Sequence, residues 1–433
     1  MKKLHWMTLD NAAKIFPANR RRNWSNVFRI SATLTEDIDT ACLQEALDHV
    51  VKRFPSIAVC IKPGFFWYYI EEVPHAPRIL DEKPYPLSRM PFDDIRKCAI
   101  RVLVHRNRAA VEFFHAVTDG NGGLVFVKTL MAEYILRKYG VRVPYSEGIL
   151  DPGETPAREE LEDSFQKYAG PKKASRNGPD SFRILEKREP DGYRTNTTFI
   201  FDTEDIHRRA KEQNVTVTAY FAAVLLTAAI NVQKMTVRNP KRHQQINVTI
   251  PVNLRKMFPS KSLRNFMLYA NPGIDPRLGE YTFPEICQLL HHQMKIMITP
   301  KTMAALMAKN VGDEKPFLLR ATPLFLKNIV MKAIFDAVGE RKACFSFSNL
   351  GVVEVPTEYS RYVNRMDFVI GTQADSPYNI GALSYGGKMY VNVIRNIESP
   401  ILEQALYRVL KELGIRPCAE SNTRPKGEPY VLY

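Results

Sequence analysis

The chain predicts an α/β protein built from two halves, on three observations. A strand-like run, a glycine-rich turn and a helical run follow one another over residues 101–135. A proline-rich polar stretch occupies residues 141–194. Strand and helix patterns then resume on its far side. With 433 residues, of which 45% are hydrophobic, the chain can bury a large core, and its length suits two or three structural units. The expected division is a first half over 1–140, a crossover over 141–194 and a second half over 195–433.

Each element has its own signal. Between Ile38 and Phe54, the residues Leu43, Leu47, Val50, Val51 and Phe54 fall on one face, and Pro55 closes the helix. Strands are expected near residues 56–61 and 65–70. Arg101-Val-Leu-Val and Ala109-Ala-Val-Glu-Phe-Phe are β-prone, Asp119-Gly-Asn-Gly-Gly123 reads as a tight turn, and Leu124, Val125, Val127, Leu130, Met131, Tyr134 and Ile135 recur at helical spacing. In the crossover, Pro144, Pro152, Pro156, Pro171, Pro179 and Pro190 stand among polar residues. The second half begins with a strand at 197–201 and a helix at 204–213. Thr216 then caps an apolar helix running to Ile230. A strand at 245–251 ends beside Arg255. Two strands, 380–384 and 389–394, flank Tyr385-Gly-Gly-Lys388 as a hairpin. A last helix spans about 400–413, and residues 414–433 read as an extended tail.

Composition removes several classes of function. The longest apolar run, Val217 to Ile230, is too short for a bilayer span and reads as a buried helix. No apolar segment follows the charged start Met1-Lys-Lys, so a cytoplasmic location is expected. Cysteines 42, 60, 98, 287, 344 and 418 lack metal or C-x-x-C spacing, and the adjacent His291 and His292 point apart on a helix. No metal site is therefore expected. The net charge of +15 calls for an anionic partner, yet the tightest cluster, Arg20-Arg21-Arg22, has no aromatic stacking pattern beyond Trp24, and no nucleic-acid motif appears.

One string carries chemistry. His115 lies at the end of the strand-like run in His115-Ala-Val-Thr-Asp119-Gly120. An imidazole leaving a rigid strand for a tight turn is held in place, as a general base must be, and its ordinary pKa suits proton abstraction near neutrality. The alternative is a core histidine followed by an ordinary Asp-Gly turn. Gly120 is expected to serve the turn through its freedom in φ.

The H-x-x-x-D-G string resembles the signature of the chloramphenicol-acetyltransferase-like superfamily of CoA-dependent acyltransferases, and two further segments match in order. They are Asn247-Val-Thr-Ile-Pro-Val-Asn-Leu-Arg255 with Arg264-Asn265-Phe266 following, and Phe345-Ser-Phe-Ser348-Asn349-Leu-Gly351. The Ser-Asn-Leu-Gly form and the helix start after Asp119 look most like the bacterial alcohol acetyltransferase branch. Condensation domains usually carry two adjacent histidines, whereas Phe114 precedes His115 here; this departs from peptide-bond condensation and not from acyl transfer.

The resemblance implies two chloramphenicol-acetyltransferase-like subdomains, each a mixed sheet with flanking helices, and an active-site tunnel between them. It implies His115 as general base and Asp119 turned away to pair with Arg255. Ser348 and Asn349 become candidate oxyanion donors, with a packing turn as the alternative. Lys256, Lys261 and Arg264, flanking the second motif, are candidate contacts to the CoA phosphates, against the alternative of a solvated loop. The implied reaction moves a short acyl group from CoA, a substrate and not a resident cofactor, to an alcohol without an acyl-enzyme. Two other readings stay open. One is an amide-forming or condensation-like enzyme fed by an acidic acyl-carrier protein; the other is a non-catalytic binding member of the fold.

Overall fold

A computed structural model describes residues 6–18, 26–174, 178–313, 321–329, 340–373 and 376–423. The Arg20–Arg22 cluster and the last ten residues of the expected tail lie outside the described residues. The architecture is mixed α/β. Among the described residues, one sheet has the strand order Val363–Ile370, Val27–Leu34, Arg108–Phe114, Ile100–His105, Leu80–Asp81. A larger sheet runs Met267–Ala270, Ile246–Asn253, Phe345–Val352, Tyr378–Tyr385, Lys388–Arg395, Thr195–Asp202, Cys418–Ser421, with Gly273–Ile274 also pairing on Ile246–Asn253. Both are mixed: Leu80–Asp81 runs parallel to its neighbour, as Phe345–Val352 does to both of its own. A third, smaller sheet joins Trp6–Thr8, Tyr68–Glu72 and Val59–Pro63.

The helices form where apolar spacing and caps coincide. Asp39 caps Thr40–Val50 by accepting from the amides of Ala41 and Cys42. Gly120–Tyr139 starts on Asp119 and stops at Gly140, which takes the left-handed conformation (φ 68°) that a residue without Cβ adopts at little cost. It packs on the first sheet and on Thr40–Val50. In the second half, Thr216 accepts from the Ala219 amide and starts Val217–Thr236. This helix is longer than the apolar run suggested, and by length and composition alone it could cross a membrane. Here its Phe221, Val224, Leu225 and Leu226 are fully buried, and it packs against the helices Phe283–Met297 and Ile401–Glu412. The Gly386-Gly387 turn, with positive φ at both residues, closes the expected hairpin between Tyr378–Tyr385 and Lys388–Arg395.

Three features depart from the sequence reading. Val363–Ile370 lies in the stretch assigned to the second half, yet it pairs with Val27–Leu34 over almost its full length and completes the first sheet. It also packs on Tyr378–Tyr385, where Gly381 allows close approach: a Cβ there would stand 2.4 Å from the Phe368 carbonyl oxygen. Residues 418–421 are not a free tail; they form an edge strand on Thr195–Asp202. The crossover does more than connect, because its Glu160 carbonyl accepts from the Leu263 amide and its Glu162 carbonyl from Ser262 Oγ, so it supports the loop after the second motif.

Candidate active site

The first motif sits at the end of a central strand. Arg108–Phe114 pairs on both sides, and its last residues, Phe113 and Phe114, are buried. The chain then turns: the His115 amide donates to the Asn26 carbonyl, and the Val117 amide to that of Phe114. Ala116, Val117, Thr118 and Asp119 are all buried, while His115 keeps partial access to solvent. His115 is thus the one residue from Phe113 to Asp119 that is not fully buried.

The imidazole is held on three sides. Its Nδ1 lies 3.1 Å from Asn265 Oδ1. Its face stacks on Phe16 with ring centroids 4.8 Å apart, and Phe28 meets it edge-on at 5.1 Å. With the Asn265 amide turned so that Oδ1 faces the ring, Nδ1 donates to it and Nε2 keeps a lone pair. Burial holds the imidazole below its ordinary pKa, outweighing the opposing effects of its backbone contact, Asp119 and Asn265. The neutral form is therefore favoured at neutral pH.

Asp119 faces the other way. Its Oδ1 accepts from the Asn121 and Gly122 amides and caps the helix. Its Oδ2 accepts from Arg255 Nη1 at 2.7 Å and from the Phe266 amide at 2.9 Å. Arg255 also donates to the carbonyls of Ser262 and Arg264, so one ion pair ties the first motif to the loop that carries Asn265. Thr118 adds a 2.6 Å hydrogen bond to the Leu263 carbonyl.

The glycines after Asp119 act by their smallness. Gly120 has no positive φ, so its expected dihedral role does not hold. A Cβ on it would instead stand 2.7 Å from Leu350 Cδ2, which brings the third motif against the first. Gly122 is more tightly confined, with the Leu263 carbonyl oxygen and Thr118 Oγ1 both 2.3 Å from the would-be Cβ.

Placement of the remaining candidates is mixed. Ser348 and Asn349 lie partly buried on Phe345–Val352, and neither hydrogen-bonds the His115 ring among the described residues. Asn349 Oδ1 accepts from the Gly351 amide, the packing-turn arrangement, while its Nδ2 lies 3.4 Å from Thr218 Oγ1. Lys256 and Lys261 are exposed on the loop. Arg264 is a correction. Its guanidinium is buried and donates to the carbonyls of Leu161 and Thr8, with Asp10 at 3.8 Å, so it is committed to the protein interior and not available to a phosphate. Among the described residues no cluster has the makings of a metal site. The reading of single residues overlooked Phe16 and Phe28, which carry no local signal, and Asn265, which was visible only as the middle of Arg264-Asn265-Phe266.

These elements define the two-subdomain acyltransferase and condensation fold. The protein is similar along nearly its whole length to polyketide synthase associated protein 5 from Mycobacterium tuberculosis, at 15% identity and a TM-score of 0.61, with 93% of this chain and 96% of that chain covered. It is similar to TRI101 from F. sporotrichioides, solved with coenzyme A and T-2, at 11% identity and a TM-score of 0.63, covering 96% and 99% of the two chains. The first condensation domain of the calcium-dependent antibiotic synthetase matches at 13% identity and a TM-score of 0.60, covering 96% and 97%. The fold is thus the one that these acyltransferase and condensation-domain structures share. In sequence, the family described as Alcohol acetyltransferase matches residues 198–273, the segment that carries the second motif and Asn265. No curated protein matches the sequence.

Proposed function

We propose that this protein is an acyl-CoA-dependent O-acyltransferase in which His115 is the general base. The observation that carries the reading is the state of the His115 ring: Nδ1 is engaged by Asn265, burial favours the neutral form, and the residue remains partly accessible. In this reading an acceptor alcohol gives its proton to Nε2 while its oxygen attacks the thioester carbonyl. The tetrahedral intermediate collapses with cleavage of the carbon–sulfur bond, and the departing sulfur takes the proton back from Nε2. None of the cysteines need act as nucleophile; burial pushes the thiols of Cys287 and Cys344 up to about 12.

The family match over 198–273 and the whole-length likeness to structures that include one solved with coenzyme A support CoA as the donor. Lys256 and Lys261 remain the proposed phosphate contacts, and Ser348 and Asn349 the proposed oxyanion donors; the Gly351 amide holds Asn349 by its Oδ1 and leaves the Nδ2 donor with only a 3.4 Å contact to Thr218 Oγ1. The likeness to a condensation domain keeps a second reading, in which an acidic carrier protein presents the acyl group to the basic surface. A thiol-release assay across acyl-CoA lengths and a panel of alcohols and amines tests the proposal, with a melting shift on adding CoA as the binding readout. Transfer from acyl-CoA to an alcohol is expected. Turnover only with acyl-carrier protein supports the second reading, and no binding or turnover with either donor points to the non-catalytic one.

A further inference from the structure

Behind the His115–Asn265 contact lies a buried carboxylate that the catalytic proposal does not use. Asp10 is 1% exposed. Its Oδ1 accepts from the Ala13 amide at 2.8 Å and so closes the turn leading to Phe16, the ring stacked on His115. Its Oδ2 is buried without a well-formed hydrogen bond, and so is Asn265 Nδ2. The two groups are neighbours: no hydrogen bond joins them, but the Asn265 amide lies close enough to favour the charged form of Asp10. One end of the Asn265 amide therefore faces His115, and the other faces Asp10.

We propose that Asp10 is a positioning residue that acts through Asn265 to select the tautomer of His115. The inference rests on the reading of His115 as the base. An asparagine amide can be turned end for end with little change of shape. In the orientation seen, Oδ1 faces His115 and requires a proton on Nδ1, which leaves Nε2 free to accept. Turned over, Nδ2 would face His115 as a donor, the ring would accept at Nδ1, and its proton would move to Nε2, where it blocks the base. An acceptor at Asp10 favours the first orientation and opposes the second, because turning the amide would bring two oxygens together.

Burial works against the charge on this acceptor, and the groups around it offset that cost only in part. Burial raises the Asp10 carboxyl to about 7, against the lowering effect of Arg264, whose Nε is 3.8 Å away. Asp163, on the crossover, adds repulsion, and is itself faced by Arg264 and Lys14. The Ala13 amide and Asn265 amide lower it. Arg264, expected from sequence to meet a ligand, is in this arrangement the counter-charge that supports Asp10.

The test reads the ring directly. The full chain is labelled at both histidine ring nitrogens, and the His115 resonances are assigned by their loss in His115→Ala. At alkaline pH the wild type is expected to show a protonated Nδ1 and an unprotonated Nε2. Asp10→Asn places an NH2 donor towards Asn265, and Asp10→Ser keeps an acceptor for the Ala13 amide while removing the one facing Asn265. Either variant is expected to move the Nδ1–H to Nε2–H ratio about tenfold towards Nε2–H, the worth of one hydrogen bond of ordinary strength, and to lower kcat by a similar factor with KM little changed. In an Asn265→Ala background, changing Asp10 should then have no further effect on the ratio. Having two variants guards against one that does not fold. If the folded variants keep the wild-type tautomer, the proposal is overturned, and Asp10 is only a cap on the turn at Ala13. The ring measurement stands even if the protein transfers no acyl group, so loss of the functional reading and loss of this one are told apart.

Discussion

Within one turn, four residues apart, Asp119 and His115 meet opposite requirements. Asp119 has both carboxylate oxygens engaged, by two helix amides on one side and by Arg255 and the Phe266 amide on the other. His115 has one ring nitrogen engaged by Asn265 and keeps partial access to solvent. A side chain whose every valence is satisfied by protein can only hold structure. One with a nitrogen to spare, in a neutral form favoured by burial, can exchange a proton. Asp119 holds His115 in place by joining the turn to the loop that carries Asn265.

Removing the imidazole should cost activity far more than stability. His115→Ala should lower turnover by about two to four orders of magnitude, the usual worth of a positioned general base, with the melting temperature nearly unchanged. Near-normal turnover in the folded variant would end the catalytic reading of the ring.

Next in size is the aspartate side. Asp119→Ala or Arg255→Ala should each cost roughly 3–5 kcal/mol, because either leaves a buried charge without its partner. The double variant should cost less than the sum of the two. Asp119→Asn should sit between wild type and Asp119→Ala, since an amide oxygen can still cap the helix. Denaturant unfolding measures all four, and additive losses would show that the pair acts as two separate anchors.

Shifts of stability with pH should be smaller and opposite in sign for His115 and Asp10. The folded pKa of His115 lies below its unfolded value, so the unfolded chain takes up the proton first; relative to His115→Ala, wild type should lose stability as pH falls below about 6.5. Asp10 has the opposite sign. Its folded pKa is raised from 3.8 to about 7, so wild type should lose stability relative to Asp10→Ser as pH rises through that window. Melting curves across the range would separate the two, and parallel slopes for both variants would contradict the assignment.

What was legible in the sequence was local. The strand, turn and helix around His115 follow from period and glycine content, and the helix at Val217–Thr236 from its apolar run and Thr216 cap. The Asp119–Arg255 partnership was legible only through resemblance, since 136 residues separate the two and no spacing rule connects them. What failed depended on long-range packing. Arg264 reads as a surface cation by type, but the crossover and the N-terminal segment close over it. Gly120 reads as a turn glycine, but its smallness serves Leu350, 230 positions away. Asp10 offered no motif at all; its part emerges only where the N-terminal turn meets Asn265.

The placement of Val363–Ile370 has a consequence for how this protein is made. A ribosome produces Val27–Leu34 early, but the strand that covers its open edge comes only after most of the second half has been synthesised. At roughly 5–20 residues per second, that edge waits on the order of twenty to seventy seconds with its backbone donors and acceptors unpaired. The first sheet therefore cannot be completed as an N-terminal folding unit during translation. A fragment ending at residue 194 should emerge as a sticky, unfinished sheet, even though it contains the whole His115–Gly120 string.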